Sequence, residues 1–279
     1  MADYANLIRE IRKNKKYASI SEELIIQEIE RYFRTNPKHL SLFDKPKSEK
    51  FNKIVKSVRG KLHLAYGSFQ GEDKFKRKSY LKEIKGLDDY ETHDKILSTS
   101  VSAKERLKDY STIYNKIFDI CDKPQVILDI GCGLNPVSYP YMGLEGLRYY
   151  AYDIDKEDID FLNIYFEKMK KFSRLDGEAF LINLTSLDEV KKLPRSDICF
   201  MFKMIDPLEK GKNHKLSEEI IRLIDSKYII VSFSTKTISG KSMNYPYRGW
   251  IERMLNRVGL SFEKIQTGNE IFYIIKKQS

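Results

Sequence analysis

A loop with two glycines is the stretch of this sequence best suited to binding a small ligand. In "QVILDIGCG" (125–133) a hydrophobic run ends at Asp129, and Gly131 and Gly133 follow where a strand would end. Glycines there allow backbone torsions that side chains forbid and let a ligand approach closely. Position 136 is Pro, so the loop is not the G-x-G-x-x-G fingerprint of dinucleotide-binding proteins. A pyrophosphate cradle is therefore disfavoured.

An acidic residue at the end of the next hydrophobic run strengthens this interpretation. "YYAYDID" contains Asp153, about twenty residues after Gly133, the separation expected for a carboxylate that binds ribose hydroxyls. The alternative role for such acids is capping of the next helix, and Asp155 is suited to it. The glycine loop and Asp153 together favour S-adenosyl-L-methionine over NAD as the cofactor.

The cysteines offer neither a disulfide framework nor a metal site. Cys121, Cys132 and Cys199 are odd in number and lack C-x-x-C spacing, so no metal is predicted. Cys132 lies in the glycine loop and Cys199 lies within a hydrophobic run. We interpret both as small packing residues rather than as the nucleophile of a pyrimidine-C5 methyltransferase.

An α/β fold is predicted for the part of the chain that carries these residues. Strand-length runs alternate with helical stretches such as 157–172, which indicates a parallel sheet covered on both faces. The last segment, 260–277, differs because a Thr-Gly-Asn turn separates two strands of a hairpin. This pattern is typical of a class I (Rossmann-like) S-adenosylmethionine-dependent methyltransferase. The runs are 125–131, 147–155, 178–184, 197–204 and 227–234.

The first third of the chain is predicted to be an α-helical domain. One helix covers 19–34, with Ser21 as its N-cap, and a second covers 48–69. The apolar stripe of the first is Leu24, Ile25, Ile29, Tyr32 and Phe33, and that of the second is Phe51, Ile54, Val55, Val58 and Leu62. We place the domain boundary at residue 97, with a helical RNA-binding domain over 1–97 and a methyltransferase domain over 98–279.

All of the excess positive charge lies in this first third. Of 50 Lys and Arg and 40 Asp and Glu in the chain, residues 1–85 hold 21 basic and 11 acidic residues, a net charge of +10. The rest is neutral. A basic module in front of a neutral one suggests docking on a polyanion such as nucleic acid, although lysine-rich helices can also be merely soluble. With no membrane-length apolar segment and no secretory signal, we expect a cytoplasmic protein.

Several motifs resemble those of the aminoglycoside-resistance 16S rRNA (guanine-N7) methyltransferase family. The G-C-G-x-N-P loop and the S-F-x-x-K-x-x-S-G-K segment are the more specific of them. The chain departs from that family at Tyr66, where relatives typically carry Trp, and at "IDPLEK" (205–210). The motifs are "KLHLAYGSF" (61–69), "SAKERLKDY" (102–110), "ILDIGCGLNP" (127–136), "AYDID" (151–155), "FKM" (202–204), "VSFSTKTISGK" (231–241) and "GNEIFYI" (268–274).

The resemblance implies a set of cofactor contacts. Arg106 corresponds to the arginine that binds the methionine carboxylate, Gly131 to a contact of the methionine moiety, and Asp153 to the ribose ligand. Asn183 and Leu184 correspond to the adenine edge. The full set is Ser100, Val101, Ser102, Arg106, Asp129, Gly131, Gly133, Asp153, Ile154, Asn183, Leu184, Phe202 and Lys203. We expect Arg106→Ala to abolish cofactor binding without unfolding the protein.

The resemblance and the basic charge together suggest contacts with RNA. They are Lys53, Lys56, Arg59, Lys61, His63, Lys236 and Lys241. The expected partner is 16S rRNA in the 30S ribosomal subunit, bound by a monomer. Because the glycine loop and Asp153 lie outside the leading domain, we expect that domain to be dispensable for cofactor binding.

The implied reaction requires no catalytic residue. Guanine N7 carries a lone pair and no proton, so its methylation needs positioning rather than a general base. Two alternatives stay open from the sequence: a methyltransferase of another RNA site or of a small molecule, and a catalytically silent rRNA-binding assembly factor.

Overall fold

A seven-stranded sheet forms the centre of the computed structural model, which describes residues 4–14, 17–40, 46, 48–63, 73–208, 214–236, 243 and 247–277. The strands are β1 (Val126–Ile130), β2 (Arg148–Asp153), β3 (Asp176–Leu181), β4 (Ser196–Phe202), β5 (Ser226–Ser234), β6 (Ser261–Thr267) and β7 (Glu270–Lys276). The helices are α1 (Ala5–Arg12), α2 (Glu22–Thr35), α3 (Glu49–Leu62), α4 (Arg77–Glu83), α5 (Tyr90–Leu97), α6 (Val101–Arg106), α7 (Tyr110–Cys121), α8 (Lys156–Met169), α9 (Leu187–Val190), α10 (Ile205–Leu208), α11 (Lys215–Leu223) and α12 (Gly249–Arg257).

The order of the strands confirms the predicted α/β fold. It runs β3-β2-β1-β4-β5-β7-β6, and β1 to β5 pair in parallel. Strand β7 is antiparallel to both β5 and β6, so the C-terminal hairpin forms one edge. The reversal of strand order at β1 and β4 creates the crevice in which open α/β sheets bind ligands.

Hydrophobic cores cover both faces of the sheet. Successive residues of β1 alternate between them: Ile127 belongs to the core with α7 and α8, and Leu128 to the core with α11 and α12. This explains the continuous apolar runs in the sequence, because a strand buried on both faces has no polar side. Within the described ranges, none of the helices has the length and apolarity needed to cross a bilayer.

The leading helices α1, α2 and α3 enclose a core of their own. The Ser21 and Ser48 side chains cap α2 and α3 by accepting hydrogen bonds from Leu24 N (3.4 Å) and Phe51 N (3.2 Å). The predicted stripe of α3 is buried throughout, as is that of α2 except for Tyr32, which is half-buried. Helix α3 ends at Leu62, and residues 64–69 of its predicted span lie outside the described part of the chain.

The division between the cores differs from the predicted boundary at residue 97. Leu81, Ile84, Ile96 and Leu97 pack with the sheet rather than with the leading helices, whose core ends at Leu62. Helices α4 and α5 therefore belong physically to the sheet-containing unit. Their short amphipathic pattern does not reveal which core their apolar faces join, so the sequence could not give this assignment.

A buried ionic cluster joins the segment around α4 to the start of α8. The Arg77 guanidinium donates to the Asp158 carboxylate, and both side chains are 3% exposed. Lys74 Nζ lies 2.8 Å from Asp155 Oδ2 and 3.0 Å from Asp158 Oδ1. Arg77 also donates to Thr99 Oγ1 (2.6 Å), so its charge is matched and its N–H groups are engaged.

Replacing Arg77 should destabilise the fold. An Arg77→Met variant leaves the Asp158 carboxylate buried with only part of its compensation, and we expect the free energy of unfolding to fall by about 3 kcal/mol. Chemical denaturation monitored by circular dichroism measures the change. The matched control is Lys156→Met, which breaks an exposed Lys156–Asp160 pair (2.9 Å) and should cost less than about 1 kcal/mol. Equal losses in both variants would contradict this role of Arg77.

Candidate functional site

A cavity lies at the carboxyl ends of the central strands and opens to solvent, with a volume of about 1120 Å³ when the open space at its mouth is included. This is the position at which the sequence analysis places the ligand. Both the sheet and the leading helices contribute to its wall. The lining residues are Leu24, Glu28, Lys61, Leu62, Ser100, Ser102, Gly131, Gly133, Asp153, Ile154, Asp158, Ile182, Asn183, Leu184, Thr185, Phe202, Lys203, Met204, Pro207 and Leu208.

The glycine loop has a backbone that only glycine accommodates readily. Gly131 and Gly133 have φ of +67° and +48°, in the left-handed region. A Cβ on Gly131 would lie 2.9 Å from Met204 Cβ, so a side chain there would collide as well as strain the backbone. The backbone N–H of Gly131 donates to Tyr152 O at 2.8 Å, which ties the loop to β2.

Asp129 and the Asn135-Pro136 pair flank the glycine loop and are hydrogen-bonded to each other. The Asp129 carboxylate is buried and accepts hydrogen bonds from Asn135 Nδ2 (2.9 Å) and Tyr149 Oη (2.6 Å). Burial raises the pKa of Asp129 to about 6. Residues Asn135–Met142 form a 3₁₀ helix, within which Pro140 lies. A 3₁₀ helix therefore stands after β1 where a regular α-helix would be expected, and its first residue, Asn135, holds the Asp129 carboxylate.

Asp153 orients the two segments that meet at the cavity. Its carboxylate accepts from Gly133 N (2.8 Å), Ile154 N (2.7 Å) and Asp155 N (3.2 Å). Burial, and then the nearby Asp158, raise the pKa of Asp153, although these backbone N–H groups oppose the shift. The side chain lines the cavity with remaining lone pairs, so it can also accept hydrogen bonds from a ligand. Asp155 caps α8, as expected, by accepting from Glu157 N at 2.7 Å.

A second buried ionic cluster lies behind the cavity. Arg106 forms a bidentate pair with Glu270, with Nε and one Nη each 2.9 Å from a carboxylate oxygen. Lys203 Nζ lies 3.2 Å from Glu270 and also contacts Glu105, and Ser232 donates to Glu270. Burial alone would raise the pKa of Glu270, but Arg106 and Lys203 outweigh it and lower that pKa.

Lys203, the residue directly after β4, has an unusual backbone conformation. Its φ is +54°, which is uncommon for a residue with a side chain and is concentrated at functional sites. Its N–H donates to Ser232 Oγ at 3.0 Å, which holds the turn in place. The cluster thus fixes both the direction of the chain after β4 and the position of Phe202, whose ring lies 4.9 Å from the Arg106 guanidinium.

Most of the predicted cofactor residues line the cavity together. Three do not: Val101 is exposed, and Arg106 and Asp129 are buried behind the lining. The lining members are Ser100, Ser102, Gly131, Gly133, Asp153, Ile154, Asn183, Leu184, Phe202 and Lys203. Removing the Arg106 side chain would leave the Glu270 carboxylate buried without its main partner, which destabilises a fold. The structure therefore gives no physical reason to expect that Arg106→Ala spares the fold.

The sequence analysis did not assign any residue of the leading helices to the cofactor. Leu24, Glu28 and Leu62 nevertheless line the cavity, and so does Lys61, which was assigned to RNA. The two sites are therefore not separated as expected. One signal was available: Glu28 lies four residues after Leu24, so an acid interrupts the apolar stripe of α2.

Most of the predicted RNA contacts that the structure describes are exposed, but Arg59 is hydrogen-bonded within the protein. Lys53, Lys56, Lys61, His63 and Lys236 are exposed. In contrast, the Arg59 guanidinium donates to the carbonyls of Glu10 and Ile11 at the end of α1 (3.3 Å for Ile11), which is a structural role. Lys241 lies outside the described residues.

Cys132 and Cys199 pack as interpreted, and the tryptophan also packs against a core. Cys132 and Cys199 are buried, and burial raises the pKa of both thiols well above the usual value, which disfavours the reactive thiolate. Trp250 is half-buried against the α11–α12 core, with its ring 3.7 Å from the His214 ring. No group of three or more potential metal ligands occurs among the residues that the structure describes.

Comparison with known proteins gives one consistent answer. The profile of the family described as "Ribosomal RNA methyltransferase (FmrO)" matches residues 52–274. Two proteins named 16S rRNA (guanine(1405)-N(7))-methyltransferase are similar to the chain. The one from Micromonospora echinospora is 27% identical over 233 residues (80% of this chain, 82% of the relative), and the one from Proteus mirabilis is 28% identical over 248 residues (80% and 84%).

A solved structure shows the same fold over the whole chain. The crystal structure of the 16S rRNA methyltransferase RmtF in complex with S-adenosyl-L-homocysteine superimposes with a TM-score of 0.76. The two sequences are 18% identical, and the alignment covers 100% of both chains.

Neutralising Asp153 should weaken cofactor binding. Asp153→Asn retains the shape of the side chain but loses the charge and one acceptor oxygen, at a cost of about 1.5–3 kcal/mol, or roughly 10- to 150-fold in affinity. Titration calorimetry with S-adenosyl-L-homocysteine gives the dissociation constant. Asp160→Asn, on the exposed face of α8, removes the same charge and serves as the control. If both variants bind as tightly as the wild type, the placement of the ribose is wrong.

Proposed function

The chain belongs to the ribosomal RNA methyltransferase (FmrO) family, and on this basis we propose that it methylates N7 of guanine 1405 in 16S rRNA. It is an S-adenosylmethionine-dependent enzyme, and the target is the nucleotide in the names of its relatives. The observation that carries the proposal is the cavity itself, in which the glycine loop and Asp153 meet the basic helix α3 through Lys61. We further propose that it acts in the cytoplasm as a monomer on the assembled 30S subunit.

The residues around the cavity fit S-adenosyl-L-methionine. Asp153 would hold the ribose hydroxyls, and the apolar side chains of Ile154 and Leu184 would contact the adenine. Gly131 has no Cβ, and a Cβ there would collide with Met204. The backbone of Gly131 would therefore be accessible to the methionine portion of the cofactor. The acidic groups that line the cavity are also favourable for a ligand that carries a sulfonium charge.

Methylation of guanine N7 requires the protein to orient the reacting groups and does not require it to transfer a proton. S-adenosylmethionine, when bound, would supply an electrophilic methyl group to the lone pair of guanine N7 and, once its S–CH3 bond had broken, would leave as S-adenosylhomocysteine. N7 carries no proton, so none has to be removed. The chain must therefore align the base and exclude water. Phe202 is suited to this, because Arg106 on one side and Phe272 (ring centroids 5.4 Å apart) on the other hold its ring in place.

The exposed cations of α3 support docking on RNA. Lys53 and Lys56 project from the helix face opposite its buried stripe, and the same helix reaches the cavity at Lys61 and Leu62. A phosphate backbone bound along α3 would lead towards the cavity. An enzyme that modifies one base of a folded RNA must turn that base out of its stack, and binding by shape and phosphate contacts is how such RNA is recognised.

Incubation with 30S subunits and radiolabelled S-adenosylmethionine tests the reaction. We expect one methyl group per 16S rRNA, and cleavage at guanine 1405 after borohydride and aniline treatment, which is specific for N7-methylguanine. Subunits carrying adenine at that position should accept none. Methylation at another nucleotide, or of small molecules only, would overturn the proposal. Because the resemblance implies resistance, expression in a susceptible bacterium should also raise the inhibitory concentration of aminoglycosides.

Reversing two charges on α3 should weaken binding to the 30S subunit. In Lys53→Glu/Lys56→Glu, loss of two phosphate contacts should reduce affinity at least tenfold and flatten the slope of log K against log salt by up to about two. Binding is measured by filter retention from about 50 to 300 mM salt. Lys61 is left intact because it lines the cavity, so cofactor affinity should be unchanged.

The matched control carries the same change in charge elsewhere. Lys116→Glu/Lys123→Glu alters an exposed lysine of α7 and an exposed lysine between α7 and β1, neither of which lines the cavity. It should leave affinity and slope at wild-type values apart from a small general effect. A similar loss in both double variants would mean that net charge, and not α3, determines docking.

A further inference from the structure

Helix α2 of the leading domain lies across two segments that carry predicted adenosine contacts. One segment follows β2 and begins with Asp153, and the other follows β3 and contains Asn183 and Leu184. The helix contacts both of them. Apart from the acid at Glu28 within the apolar stripe of α2, nothing in the sequence pattern indicated that this helix would reach this position.

At the β2 segment, the residues that precede α2 pair with the chain directly after Asp153. Ser21 N donates to Ile154 O (3.3 Å), and Lys156 N donates to Ser19 O (3.1 Å). Ser19 Oγ also donates to the buried Asp155 carboxylate at 2.9 Å. The start of α2 is therefore attached to the residues directly after Asp153, the residue that would hold the ribose.

At the β3 segment, the contact is made six residues further along the chain, at Gln27. Thr185 Oγ1 donates to Gln27 Oε1 at 2.8 Å. The neighbouring Glu28 and the preceding Leu24 face the cavity, where Ile154, Asn183 and Thr185 are also found. Helix α2 thus bridges the ends of β2 and β3 and covers the cavity between them.

We propose that α2 closes the adenosine end of the cofactor site and that Leu24 and Glu28 bind the cofactor directly. This inference rests on the proposed function only in taking the occupant of the cavity to be S-adenosylmethionine. It makes the leading domain a part of the cofactor site as well as a surface for RNA. The ligand group recognised by Glu28 is a hydrogen-bond donor of the adenosine moiety.

Glu28 has the chemistry for this role. Glu28 is 6% exposed and lines the cavity, and a carboxylate accepts hydrogen bonds through both of its oxygens. The Arg31 guanidinium lies 3.5 Å from Glu28 Oε1. Leu24 and Leu62 supply apolar surface beside it, which suits a purine that is flat and carries N–H donors at its edge.

A thermodynamic consequence follows for the two substrates. If the cofactor contacts α2, binding it favours the closed arrangement of the leading domain, and an RNA that binds this arrangement must tighten cofactor binding by the same factor. The expectation that the leading domain is dispensable for cofactor binding is therefore replaced by its opposite.

Titration calorimetry with S-adenosyl-L-homocysteine on full-length variants tests the inference. Glu28→Gln keeps the size of the side chain and removes its charge, so we expect the dissociation constant to rise about tenfold or more. Glu30→Gln is the matched control, because Glu30 is an exposed acid on the same helix and away from the cavity. It should bind within about twofold of wild type.

The outcomes separate this inference from the proposed function. If wild-type protein binds S-adenosylhomocysteine and Glu28→Gln binds it equally well, the role of α2 is wrong while the proposed cofactor stands. If wild-type protein does not bind, the proposed cofactor fails, and this inference fails with it. Should thermal unfolding show that Glu28→Gln is not folded, Glu28→Asp keeps the charge but shortens the side chain. A threefold or greater loss of affinity in that variant would support the contact, and wild-type affinity would overturn it.

Discussion

Three consecutive residues at the end of β2 hold together the cavity and the contact between the leading helices and the sheet. Asp153 binds the N–H of Gly133 and so fixes the glycine loop. Ile154 accepts a hydrogen bond from the start of α2, and Asp155 caps α8 while it pairs with Lys74. A change in this segment therefore affects the glycine loop, helix α2 and the ionic cluster at once. This segment thus connects the leading helices physically to the wall of the cavity.

Buried charge is concentrated at the two sides of that cavity. The Arg77–Asp158 cluster includes Asp155, which also binds Ser19 just before α2, and the Arg106–Glu270–Lys203 cluster lies behind Phe202. Burial of ion pairs seldom increases stability relative to apolar packing, because desolvation offsets much of the attraction. What such pairs provide is a single permitted arrangement, since a misplaced partner leaves an uncompensated charge. That rigidity suits a reaction that depends on the alignment of a base with a methyl group.

The sequence predicted the features that depend on local pattern. The parallel order with a C-terminal hairpin, the cap at Ser21 and the Gly131 turn each follow from spacing and residue type within one element. Contacts between distant residues had no such signal: Arg106 and Glu270 are 164 positions apart. The sequence analysis predicted no separate helices at α4 and α5, and their short apolar stripes did not indicate the core that they join. Glu28 was the exception, an acid within an apolar stripe whose meaning became clear only with the cavity.

Hydrogen exchange on the full-length protein, with and without S-adenosyl-L-homocysteine, tests the shared cofactor site most directly. The account predicts slower exchange in two places when the ligand is added: in the backbone around Gly131 and Asp153, and also across α2, Glu22–Thr35. Protection confined to the glycine loop and the end of β2, with exchange in α2 unchanged, would contradict it.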